Sequence, residues 1–107
     1  MTIIDDAPAI PFPTTCPEWC RLAPGHPVDS IHDDGRQSRG HAGPNFGRWV
    51  YTGSREFLGA PGVHTYDVGP DASAEHEVQT AADAIELARC LIEGAQWVMA
   101  REQEPRA

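Results

Sequence analysis

The chain has 107 residues and carries 16 acidic side chains against 8 basic ones, all of them arginine, for a formal charge of −8. That length suits one small domain whose folding buries roughly two-thirds of the surface its unfolded chain exposes. The acidic balance excludes a general nucleic-acid coat, which needs surplus cations against phosphate. Ten glycines and ten prolines beside 40% hydrophobic residues describe a loop-rich fold with a core small enough to need a staple.

The opening Met1-Thr2-Ile3-Ile4-Asp5-Asp6 has neither the basic nor the apolar region of a secretory signal, and no apolar run approaches a membrane span. A cytoplasmic location is the expectation. Residues 1–15 read as an extended arm, because Pro8, Pro11 and Pro13 interrupt any helix, with Ile10 and Phe12 as its anchors. A single domain is expected over residues 16–102, and residues 103–107 as a frayed tail.

From Cys16 to His32 the chain is dense in turn formers and metal-ligand types. Cys16-x3-Cys20-x5-His26-x5-His32 offers two thiols and two imidazoles within 17 residues. Tetrahedral zinc takes such a set, and two thiolates with two neutral imidazoles balance the dication and close the coordination sphere. A structural Zn2+ site on Cys16, Cys20, His26 and His32 is therefore predicted, with Pro17 and Trp19 holding and shielding the loop. His41, Asp29, Asp33 and Cys90 are substitutes, each able to replace one imidazole. Three cysteines in a reducing compartment disfavour a disulfide framework, and an iron–sulfur cluster usually takes four.

The Cys-Pro-x-Trp-Cys opening, the two later histidines, the strands and the Ala/Leu-rich terminal helix resemble a family of small proteins of unknown function from actinobacteria and their phages. The resemblance spans roughly residues 14–100, and Cys16, Pro17, Trp19, Cys20, His26 and His32 carry it. The absence of lysine fits such a G+C-rich source. What the resemblance implies is a compact, metal-stapled fold with no established reaction. It is compatible with a phage- or prophage-encoded chain acting on a host protein.

Residues 33–47 read as a Gly-rich polar loop opening on Asp33-Asp34-Gly35. Between positions 35 and 55, Arg36, Arg39, Arg48 and Arg55 stand without an acid, a local +4 that leaves −12 on the remainder. Arg36 and Arg39 are the candidate anion-binding pair. Pairing with the chain's own carboxylates is the favoured alternative. Two strands are expected, Arg48 to Thr52 and Val63 to Val68, with Glu56-Phe57-Leu58 as a turn or part of a strand. His64 is expected on a strand face, in a structural role.

A long helix is predicted from Ala81 to about Arg101, capped by Thr80 with Asp83 three residues on. Ile85, Ala88, Leu91, Ile92, Ala95, Val98 and Met99 follow the spacing of a core-facing stripe. Leu87, Cys90, Gly94 and Trp97 form a second stripe. Leu87, Gly94 and Trp97 are predicted to bind a protein partner or a second copy of the chain. No catalytic arrangement is evident, since Glu75-His76-Glu77 lacks metalloprotease spacing. The predicted fold is α+β: a small antiparallel sheet, one long C-terminal helix and an N-terminal metal-binding loop. The expected function is a non-enzymatic, zinc-stabilised protein-interaction module. Two alternatives are a nucleic-acid-associated regulator using the Arg36–Arg55 segment and a small metal hydrolase with an open coordination position.

Overall fold

The computed structural model describes Thr2–Ile3 and residues 10–104. Part of the predicted arm (residues 1 and 4–9) and the end of the predicted tail (105–107) lie outside the described residues. The fold is α+β. Strands β1 (Thr2–Ile3), β2 (Ser30–Ile31), β3 (Gln37–Ala42), β4 (Val50–Phe57) and β5 (His64–Pro70) form a sheet in chain order, followed by α1 (Ala74–Glu77) and α2 (Ala81–Glu102). β2 pairs antiparallel with both β1 and β3. Among the described residues no helix is long and apolar enough to cross a membrane.

β3 runs through the segment expected to be loop. Gln-Ser-Arg-Gly-His-Ala shows no alternation of apolar and polar residues, so periodicity gives no strand signal. Its buried residues are polar instead: Arg39 and His41 on one face and Ser38 on the other. β4 extends to Phe57 and so takes up Glu56.

Two compact units share the described residues. The first draws on Met1–Ala42 and Ser54–Thr65, the second on Gly43–Gly53 and Tyr66–Pro105. In the first unit, Val28 is the one buried hydrophobic residue among those described, against buried Ser30, Ser38, Arg39, His41, Ser54 and Glu56. Burying polar groups costs free energy unless each finds a partner, so this unit depends on the hydrogen bonds among them. Ile10 and Phe12 hold the end of the arm to this unit. Ile10 O accepts from Val28 N at 3.0 Å, and the Phe12 ring lies 4.2 Å from the Arg39 guanidinium carbon.

The second unit has an apolar interior of Trp49, Val50, Ala74 and Val98. Thr80 caps α2 as expected: its side chain accepts from Asp83 N at 3.1 Å, and the Asp83 carboxylate accepts in return from Gln79 N at 3.3 Å. The helix face turned inward is only partly the predicted one: Val98 is buried as expected and Leu91 and Ala95 are half-buried, but Ala88 is exposed. Ile85, Ile92 and Met99 are 60, 59 and 55% exposed, whereas Gly94 and Val98 are buried. Gly94 explains the choice. A Cβ there would lie 2.9 Å from Val68 Cγ2 and 3.2 Å from Val50 Cγ1, so only a glycine face lets the helix backbone come this close to β4 and β5. Gly47, at φ +64°, likewise accommodates the Cys90 thiol.

Candidate metal centre

The site is assembled by three local devices in the first unit. In the Cys-Pro-Glu-Trp-Cys loop, Cys20 N donates to Pro17 O at 3.0 Å, a turn that brings the two cysteines to one side. Pro24-Gly25 then makes a second turn, with Gly25 at φ +72° and His26 N donating to Ala23 O at 3.3 Å. Pro at the first central position and a positive-φ Gly at the second are what a type II turn requires. Finally, Arg21 N donates to Ala42 O at 2.9 Å, tying the cysteine loop to the end of β3 beside His41.

The result groups Cys16, Cys20, His26 and His41, whose ligand atoms all lie within 4.8 Å of one another. Ligands on one tetrahedral zinc stand roughly 3.3–3.8 Å apart, so small side-chain adjustments bring these four onto one ion. Cys20 Sγ and His26 Nε2 are already 3.6 Å apart, and the His26 and His41 rings meet edge-on at 5.0 Å. The Trp19 ring packs edge-on to His41 at 6.0 Å and covers one side of the cluster.

His41 is the informative member. Its Nε2 lies 2.8 Å from Glu56 Oε1, with both side chains buried. The carboxylate acceptor sets the tautomer: Nε2 carries the proton and Nδ1 is left with its lone pair. That Nδ1 is buried with no hydrogen-bond partner. Buried polar atoms in native folds are rarely left without a partner. A metal-ligating histidine bound through its other nitrogen to a carboxylate has this disposition.

Glu56 braces His41. It also lies within reach of His41 and His64 in a second cluster of potential ligands. Its oxygens are already engaged, however. Oε1 accepts from Arg39 Nε at 3.0 Å and from His41, while Oε2 accepts from Thr14 Oγ1 and Gly62 N, both at 2.6 Å. Burial alone would raise the Glu56 pKa, but the donors from Thr14, Gly62, His41 and Arg39 outweigh it and hold the carboxyl at about 2. Arg39 spreads the same network further, donating to His26 O at 2.9 Å, to Thr14 O at 2.9 Å and to Cys16 Sγ at 3.7 Å. Burial lowers the pKa of His26, His41 and His64, most directly favouring the neutral imidazole that a metal needs; Arg39 adds to the effect.

His32 stands apart from the cluster. It closes the β2–β3 turn, where its N donates to Arg36 O at 2.8 Å, and its Nε2 lies 2.8 Å from Ser38 Oγ, with its ring 4.9 Å from Phe57. His41 occupies the fourth position instead. The other substitutes are elsewhere: Asp29 bonds Arg55, Ser30 and Gly40 N, Asp33 is exposed in the β2–β3 turn, and Cys90 packs at Gly47 in the second unit.

The predicted anion pair divides. Arg39 is fully buried among the partners named above, because its β3 position points inward opposite Glu56, so it is closed to an external anion. Arg36 is exposed and pairs with Asp34 at 2.6 Å over the Phe57 ring. Arg48 pairs with Glu86 at 2.9 Å, and Arg55 with Asp29 at 3.0 Å. All four arginines of the +4 segment thus meet the chain's own carboxylates. Of the residues predicted to bind a partner, Gly94 is buried against Val68, and Leu87 and Trp97 are half-buried on the same inward side of α2.

Compared with family models, curated proteins and solved structures, the chain matches none of them.

Proposed function

We propose that this chain is a non-enzymatic protein-interaction module whose first unit is stapled by a structural Zn2+ ion on Cys16, Cys20, His26 and His41. The observation that carries the metal half of this reading is the buried, unpartnered His41 Nδ1, its opposite nitrogen held by Glu56, beside two thiols and a second imidazole. Two thiolates and two neutral imidazoles cancel the charge of a divalent ion and suit tetrahedral zinc over harder, oxygen-seeking cations. Four protein ligands leave no position for a reacting water, so the ion's work is folding, worth several kcal/mol to a unit with one buried hydrophobic residue among those described. The reading keeps the chain among the small actinobacterial and phage proteins its Cys-Pro-x-Trp-Cys segment resembles.

Elemental analysis of protein purified without added metal tests it. One zinc per chain is expected, and a Cys16→Ser, Cys20→Ser variant should lose both the metal and most of the stability. A metal-free parent whose stability equals that of the double variant would overturn the reading.

A further inference from the structure

The outer face of α2 carries Ile85, Ile92 and Met99 at seven-residue intervals, each more than half exposed. The helix has 22 residues and so runs about 33 Å. Exposed Ala81 and Ala88 and half-buried Ala95 fill the intervening heptad positions, so large and small apolar side chains alternate along one stripe. Single exposed hydrophobics are ordinary, but a continuous stripe the length of a helix marks a contact surface. Its charge also differs from that of the rest of the chain. On a molecule of net −8, the middle of the stripe is bordered by Arg89, Glu93 and Gln96 and is locally neutral, with Glu102 beside its C-terminal end.

We propose that this stripe is a homodimer contact, formed by two copies of α2 packed antiparallel. The proposal rests on the interaction half of the reading above and is independent of the metal. The pattern is complementary to its own inverse. In a single antiparallel alignment, Ile85 meets Ala95 of the second copy, Ile92 meets its Ala88, and Met99 meets its Ala81. Every layer then holds one large and one small side chain, which permits close and even packing. A parallel pair instead sets Ala88 against Ala88 and Ile92 against Ile92, alternating gaps with crowding. The antiparallel alignment also gathers Arg89 and Glu93 of both copies near its centre, two charges of each sign, so two acidic chains can meet there without repulsion. A strongly charged partner finds no complementary charge on this face.

Sedimentation equilibrium on the full chain tests the contact. At about 100 μM the parent should sediment as a dimer, and Ile92→Asp should raise the dissociation constant roughly 100-fold or more. Zinc content and circular dichroism of that variant should be unchanged, which separates loss of the contact from loss of the fold. Ala88→Ile reports orientation. It overfills the antiparallel layer and weakens the dimer, whereas it fills the gap of a parallel pair and tightens it. A monomeric parent, a dimeric Ile92→Asp variant or a tighter Ala88→Ile dimer would each overturn the proposal. Metal content measured on the same samples distinguishes that failure from failure of the zinc site.

Discussion

Glu56→Gln removes one charge from the most interdependent position in the molecule. The native carboxylate accepts from Thr14, Gly62 N, His41 and Arg39. The amide keeps the shape but turns one acceptor into a donor, so at least one contact becomes donor against donor. Arg39, with no exposed surface, keeps its charge and loses its counter-ion. Breaking a buried pair in this way costs about 3–5 kcal/mol. For a chain of this size, each kcal/mol shifts the melting temperature by about 4–8 °C, so a fall of roughly 12–40 °C is expected. His41 also loses the acceptor that fixes its tautomer, and metal affinity should drop about 10- to 100-fold. Urea unfolding with saturating zinc and with chelator, together with competition against a chromophoric chelator, measures both effects. A variant within about 1 kcal/mol of the parent and with unchanged affinity would show that Glu56 neither compensates Arg39 nor braces His41.

Three further outcomes are expected. His41→Ala should abolish stoichiometric zinc binding while His32→Ala retains it, as read by elemental analysis; the opposite pattern would return the fourth ligand to His32. Gly94→Ala should destabilise the protein by about 1 kcal/mol in thermal unfolding, because crowding against Val68 and Val50 outweighs alanine's helix preference of about 1 kcal/mol. Stabilisation would refute the close helix–sheet approach. Acid should destabilise even the chelated protein in two ranges. The histidines, with folded pKa values below their usual 6.5, favour the folded state above that pH, and their contribution is lost as pH falls through the depressed values. Glu56, held at about 2 against 4.5, adds stability above pH 4.5 that fades towards pH 2, about 3 kcal/mol in all. Urea midpoints independent of pH between 7 and 3 would contradict these environments.

The sequence makes the α+β class legible through local signals. Thr80 and Asp83 mark the start of α2, Pro-Gly pairs mark turns, and the cysteine loop stands out by composition. What it conceals depends on packing. β3 has no hydrophobic period, because its buried side chains satisfy one another through hydrogen bonds. That concealment extends to the site, since His41 and Arg39 share one face of β3 only once it is known to be a strand. Glu56 carries a faint mark as the first acid after a stretch holding only arginines. The inward face of α2 was concealed for a different reason. Apolar counting favours Ile85, Ile92 and Met99, but the distance of closest approach is set by Gly94 and Cys90, which weigh little on a hydrophobicity scale.

X-ray absorption at the zinc edge of the purified chain tests the central claim most directly. Two sulfur neighbours at about 2.3 Å and two nitrogen neighbours at about 2.0–2.1 Å are predicted, and the edge should be absent in His41→Ala. An absent edge, or a shell of light atoms without sulfur, would contradict a site built on Cys16, Cys20, His26 and His41.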